Sequence, residues 1–172
     1  MAGAVSGALI VTAEFGAADF AWLDGLRRQY YPPQRNQVSA HLTLFHALAP
    51  SAEQEVRGRL AGLAAGPAPA ARIAGVMDLG GGVALRIVSD DLDAIRVGLA
   101  NDLHGLLGAQ DAGGWQPHVT IQNKVTPKAA RDLAGSLERE FASRALRIAG
   151  LGLHRYLGGP WETLGIYPFR RG

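Results

Sequence analysis

The 172-residue sequence contains no cysteine. That excludes a disulfide framework, a thiolate metal site and a thiol nucleophile, and it fits a reducing compartment, so a cytoplasmic location is expected. Long apolar runs are also missing. None approaches the ~20 residues that a helix needs to cross a bilayer, so no membrane contact is expected. Residues 2–13 have an apolar centre, but no basic residue precedes it, and residues 8–11 are too few for the core of an export leader. An opening strand is the expectation there. Charge of one sign is scarce too, with 17 Lys and Arg against 15 Asp and Glu and a net charge of +2. A broad electrostatic grip on long nucleic acid is therefore not expected, although a locally basic cleft is compatible with this balance. What is present is ordinary for a globular chain, at 48% hydrophobic and 19% charged residues, and the length suits one domain over residues 1–172.

Hydrophobic periodicity gives an ordered series of elements. Residues 8–12 read as a strand. Asp19 is placed to cap a helix carrying Phe20, Leu23, Leu26 and Tyr30, which Tyr31-Pro32-Pro33 ends because a residue before proline avoids the α region. Residues 41–48 read as a strand, and Ser51 with Gln54 suggests a capping box for a helix bearing Val56, Leu60 and Leu63. Residues 72–79 and 83–88 read as strands joined at Gly80-Gly81-Gly82. The pattern then restarts. Ser89 or Asp90 opens a helix with Leu92, Ile95, Leu99, Leu103 and Leu106, and a strand over 118–125 follows. Thr126-Pro127 starts a helix bearing Ala130, Leu133, Leu137 and Phe141. Residues 146–157 and 162–167 close the chain as strands around Gly158-Gly159-Pro160.

This is strand–helix–strand–helix–strand twice over. Leu9 precedes His41 by 32 residues and Leu85 precedes His118 by 33. The reading is one α+β domain with two pseudo-symmetric lobes, about 5–79 and 83–168, and no separating linker.

Each half carries the same short pattern at the same place, His41-Leu42-Thr43-Leu44 and His118-Val119-Thr120-Ile121. Strand side chains alternate, so His41 shares a face with Thr43, and His118 with Thr120, while the apolar residues between them turn to the core. A phosphate between two such pairs would meet two imidazoles and two hydroxyls. One imidazole can take a proton from an attacking oxygen and the other can protonate a departing one, with the threonines donating to non-bridging oxygens. Five histidines and five threonines in 172 residues give well under one His-x-Thr triplet by chance, so the matched pair is informative.

With these motifs the chain resembles the 2H phosphoesterase superfamily, in particular its bacterial RNA 2′,5′-ligase-like branch. The resemblance implies a duplicated two-lobed fold of mainly antiparallel sheets lining a central cleft, with helices outside. It implies chemistry on RNA-type or small-nucleotide phosphodiesters, often 2′,3′-cyclic phosphates, with His41 and His118 as acid and base and Thr43 and Thr120 on the phosphate. Three activities fit. The first is opening a 2′,3′-cyclic phosphate at an RNA end, or 2′,5′ ligation in reverse. The second is hydrolysis of a small cyclic nucleotide or ADP-ribose cyclic phosphate, and the third is a module that only binds RNA ends. The expected partners are RNA ends or small nucleotide phosphodiesters, and no obligate protein partner is evident.

Other residues are candidates for substrate contact. Phe45 falls on the His41–Thr43 face by alternation and can stack on a base. Gln122 and Lys124 continue the His118 face. Arg86 is a cation in an otherwise apolar strand. Tyr156 flanks the last turn with Trp161, the latter read as packing or rim. His46 is expected on the face opposite His41, and His104 on a helix without a neighbouring carboxylate. With His154 they form no converging set of three or four ligands. No metal and no other cofactor is expected.

Overall fold

A computed structural model describes residues 7–170. The expectations for residues 2–6 lie outside them. The chain runs β1 (Leu9–Phe15), α1 (Ala17–Tyr30), β2 (Leu42–Leu48), α2 (Glu53–Ala64), β3 (Ala70–Asp78), β4 (Val83–Val88), α3 (Asp90–Asp102), α4 (Ala109–Ala112), β5 (His118–Gln122), α5 (Pro127–Glu140), β6 (Arg144–Tyr156) and β7 (Trp161–Pro168). The described residues form a mixed α+β fold with seven strands and five α-helices, and every pairing between these strands is antiparallel. Among the described residues no helix is long and apolar enough to cross a membrane.

The strands lie in the order β2-β1-β6-β3-β4-β5, with β7 also paired to β6. Both halves place the motif strand at an outer edge beside the opening strand of the same half. The third position is exchanged: β6 of the second half lies on β1, and β3 of the first half lies on β4. The spatial halves therefore differ from the chain halves 5–79 and 83–168 by a swap of third strands. The swap ties the halves together, because β6 pairs with β3 through residues 144–147 and with β1 through residues 148–155. Leu9, Val11, Leu42, Leu44, Leu85, Val119, Leu151 and Leu153 fill a common core beneath both motifs.

Several local signals act as expected. Tyr31 leaves the helical region at ψ 133 and ends α1 before the prolines. The Ser89 hydroxyl accepts from the Leu92 N–H, and Thr126 from that of Ala129, with Pro127 at the first helical position. At the β3–β4 turn Gly80 adopts φ +88, and a Cβ on Gly82 would collide with the Gln122 carbonyl, so both positions need glycine.

Other signals are redirected. Gly16, not Asp19, is the residue before α1. The Asp19 carboxylate accepts from the Arg147 N–H and the Arg144 guanidinium instead, joining α1 to β6. No capping box forms at Ser51, which lies in a single 3-10 turn ahead of α2. Strand β5 ends at Gln122 rather than 125, because Lys124 takes a left-handed φ of 62 that no strand accommodates. His104 sits in the turn after α3.

Candidate active site

Strands β2 and β5 bring both motifs to one cleft of about 160 Å³, lined by Ile10, His41, Thr43, His46, His118, Thr120 and Trp161. The two imidazoles are held alike. His41 Nδ1 lies 2.8 Å from the Ser39 carbonyl and His118 Nδ1 lies 2.9 Å from the Gln116 carbonyl, each two residues upstream. A carbonyl only accepts, so Nδ1 carries the proton in both rings and Nε2 is the nitrogen free to exchange one. Burial drives the His41 pKa down to about 4. The Ser39 hydrogen bond opposes the shift, and the positive charge of Arg27 adds to it. At neutral pH His41 is therefore unprotonated at Nε2.

Two buried arginines brace the motif strands from opposite halves. Arg27 of α1 donates from Nη1 to the Thr120 carbonyl at 3.0 Å and from Nε to Asn36 Oδ1 at 2.8 Å. Arg96 of α3 donates from Nε to the Leu44 carbonyl and from Nη2 to the Asp111 carbonyl, each at 2.7 Å. Its guanidinium also stacks 4.1 Å from the Phe45 ring centroid. Trp115 Nε1 donates to the Thr43 carbonyl at 3.0 Å. The bonds to the Thr120, Leu44 and Thr43 carbonyls each occupy a backbone acceptor of an edge strand.

The alternation expected along β2 is broken. Thr12 pairs with Thr43 but Val11 with Phe45, so β2 carries one extra residue at Leu44. This bulge puts Leu44 and Phe45 both into the core at 0% exposure and turns His46 into the cleft. Phe45 is thus a core residue, not a base-stacking one, and His46 shares the cleft with His41 after all. His46 Nδ1 donates to Asp111 Oδ1 at 3.1 Å. Asp111 also accepts from the backbone N–H groups of His46 and Ala47, at 2.7 and 2.8 Å. Burial alone would raise the Asp111 pKa, but these hydrogen bonds outweigh it and hold the carboxyl below its usual range. Residues 109–112 gave no helical periodicity at four residues' length, so α4 and Asp111 were not visible in the sequence.

The remaining candidates are placed as follows. Arg86 stands directly opposite His118 in the β4–β5 register, but its guanidinium leans over Gly75 toward the Ala74 carbonyl at 3.4 Å and does not line the cleft. Gln122 is buried, and its Oε1 has no hydrogen-bond partner among the described residues. Lys124 has left the His118 face with the end of β5. Tyr156 pairs with Trp161 across the β6–β7 hairpin and lies outside the cleft lining. Trp161, read as rim, instead forms a wall, with its ring 4.6 Å from that of His41 and 5.3 Å from that of His154. Among the described residues no three or more His, Asp or Glu side chains converge as a metal-holding group.

His154 belongs to a buried chain of hydroxyls. The Thr12 hydroxyl donates to Glu14 Oε2 at 3.1 Å, so Thr12 Oγ1 accepts from His154 Nε2 at 2.9 Å, and His154 Nδ1 accepts from Thr163 at 3.1 Å. A side chain at Gly152 would fall 2.6 Å from Thr12 Oγ1 and 2.8 Å from His154 Nε2, so glycine keeps room for the chain. Burial lowers the His154 pKa from 6.5 to about 4. The unfolded chain then takes up this proton first as pH falls. The contribution is complete above pH 6.5 and is lost progressively toward pH 4, on the order of 3 kcal/mol for this group. His41, whose pKa burial also lowers to about 4, adds a slope of the same sign, so urea unfolding between pH 7 and 4.5 should show both, and His154→Gln should remove about half of it. An unchanged slope would refute the assignment.

A model of the 2′-5′ RNA ligase superfamily matches residues 15–160 of the chain. No curated protein gives a significant match. Among solved structures, TT0787 of Thermus thermophilus aligns with 17% identity and a TM-score of 0.66, covering 95% of this chain and 98% of that one. E. coli LigT complexed with NADP+ aligns with 17% identity and a TM-score of 0.58, covering 96% and 99%. A structure described as a phosphoesterase aligns with 16% identity and a TM-score of 0.55 over the same shares. At these identities the structural likeness is one of fold.

Proposed function

The chain belongs to the 2′-5′ RNA ligase superfamily, and on that premise we propose that it is a cytoplasmic phosphodiesterase that opens 2′,3′-cyclic phosphates at RNA ends by acid–base catalysis from His41 and His118. The observation that carries this reading is the matched anchoring of the two imidazoles. Each has Nδ1 fixed to a carbonyl two residues back, and both line one cleft with Thr43 and Thr120.

The chemistry follows from that arrangement. Water attacks phosphorus, and a neutral Nε2 takes its proton as the new P–O bond forms. The bond from phosphorus to one ribose oxygen breaks, and the protonated second imidazole supplies the proton that this oxygen needs. His41 is already in the neutral form that the first task requires, and the second falls to His118. Thr43 and Thr120 donate to the non-bridging oxygens as charge builds on them. With the 5′-hydroxyl of a second RNA in place of water, the same groups perform ligation. His46, steadied by Asp111, adds a third imidazole to the phosphate-binding wall.

A substrate panel tests this reading. It should contain cyclic-phosphate-ended RNA, the four nucleoside 2′,3′-cyclic phosphates and an ADP-ribose cyclic phosphate, each with and without EDTA. Ring opening at the RNA end, unaffected by chelation, is expected. Binding without turnover on every substrate would favour a module that only holds RNA ends. Activity lost to EDTA and restored by one divalent ion would show that a metal takes part.

A further inference from the structure

Beside the phosphate cleft lies a second cavity of about 340 Å³, and His41 and Trp161 form the wall between them. Its size falls in the range of small-molecule sites. Aromatic side chains from Phe15, Phe20 and Trp161 line it, and the polar groups include Gln37, Ser39 and Glu14. Phe20 belongs to the helix face read as core-facing, yet it is 38% exposed. Here its ring lines the cavity rather than filling a core.

Glu14 gives this cavity its chemical character. It comes one position beyond the Ala13–Leu42 pair, beside His41. The corresponding neighbour of His118 is Arg86. The matching strand positions thus differ in charge, and of the two only Glu14 lines a cavity beside the motifs, since the Arg86 guanidinium turns away toward Ala74. An anion is a poor neighbour for a phosphodiester unless it serves another part of the substrate. No cation pairs with Glu14 among the described residues. The donors of the buried chain all run toward it, from Thr163 to His154 to Thr12 to Glu14 Oε2. That chain leaves the other carboxylate oxygen without a donor among the described residues. Burial raises the Glu14 pKa, and the Thr12 hydrogen bond only partly offsets it. That second oxygen is the one available to accept from a bound molecule.

We propose that this second cavity is a base-recognition subsite for guanine, with aromatic walls at Phe20 and Trp161 and with the Glu14 carboxylate accepting from the ring N1–H and the exocyclic amino group. Among the four RNA bases only guanine presents two adjacent N–H donors on one edge. Adenine and cytosine set a ring acceptor beside their amino group, and uracil has a single N–H between two carbonyls. A ring acceptor against a carboxylate is repulsive, so the pairing discriminates as well as attracts. A base held here is separated from the His–Thr cleft only by the His41–Trp161 wall, which a ribose can span.

This inference rests on the nucleotide-phosphodiesterase reading but is tested apart from turnover. Calorimetric titration with the ring-opened products, the four nucleoside 2′-monophosphates, needs no catalysis. The guanosine compound should bind at least about tenfold more tightly than the adenosine one. Glu14→Gln, which keeps the shape but removes the anion, should bring the two affinities together, and Glu14→Ala should do the same if the amide disturbs the Thr12 bond. Trp161→Ala should weaken all four. Thermal unfolding checks that each variant is folded. Equal affinities for the four bases, an unchanged guanosine-to-adenosine ratio in both Glu14 variants, or no binding at all would overturn the proposal. Selective guanosine binding with no ring opening of any cyclic phosphate would leave this subsite standing and remove the catalytic reading instead.

Discussion

Replacing His41 or His118 by alanine should reduce turnover at least about 100-fold while leaving the protein folded. Proton transfer by a positioned side chain is typically worth about 10²–10⁴-fold in rate, and both imidazoles face a cleft rather than the core. Removing either leaves solvent able to fill the space, so thermal unfolding and circular dichroism should stay close to wild type. The threonines differ, because a hydroxyl does not titrate near neutrality. Thr43→Val or Thr120→Val should cost on the order of 1–3 kcal/mol of transition-state stabilisation through lost donation to phosphate oxygens. Steady-state kcat and KM on the best cyclic phosphate of the panel decide the matter. Near-wild-type kcat in a folded His41→Ala or His118→Ala protein would defeat the acid–base assignment.

The reason these four residues can be read from sequence is that strand alternation is a local rule. It needs only a regular strand on either side of the motif, and the stretches from His41 to Thr43 and from His118 to Thr120 are regular. The same rule fails two residues later. The extra residue at Leu44 reverses the parity of β2, so Phe45 and His46 exchange the faces that counting gives them. A β-bulge leaves no mark in composition or in hydrophobic spacing, since Leu44 and Phe45 are both apolar and both suit the core. Lys124 fails for a related reason. Five residues of strand are followed by a left-handed turn, and the apolar Val125 makes the strand look longer than it is.

The order of elements was legible because helices and strands leave different periods in the chain. The exchange of β3 and β6 between the halves was not. Pairing partners are chosen over long sequence separations by packing, and either connection would give the same strand-by-strand pattern. Arg27 and Arg96 were invisible for a third reason. A charged residue on a helix reads as solvent-facing, whereas each here is buried and bound to carbonyls of the opposite motif strand.

Asp111 gives the largest stability effect expected from any single substitution at the site. The carboxylate is 2% exposed and accepts from the N–H groups of His46 and Ala47 and from His46 Nδ1. Alanine there leaves two backbone donors of the edge strand β2 without partners, each costing roughly 1–3 kcal/mol. It also releases His46 from its orientation. A total loss of about 3–5 kcal/mol is expected, a large share of the 5–15 kcal/mol that ordinarily holds a domain together. Urea unfolding at pH 7 measures it, with Asp102→Ala as the comparison, because that exposed carboxylate pairs only with Arg59 at the surface and should matter little. The pH dependence separates this contribution from that of His154. A carboxylate whose folded pKa is held below 3.8 contributes its stability above that value and loses it only as pH falls further. The difference between wild type and Asp111→Ala should therefore stay level from pH 8 to 5, through the range in which the His154 contribution begins to fall away. Asp111→Asn keeps one acceptor but sets an amide N–H against a backbone donor, so it should lie between wild type and alanine. If it remains folded, its affinity for a ring-opened nucleotide should lie between those of wild type and His46→Ala, because the imidazole is still present but less firmly anchored. A loss below about 1 kcal/mol in Asp111→Ala would mean that water replaces the carboxylate along β2, and that the α4 segment does not brace the first motif.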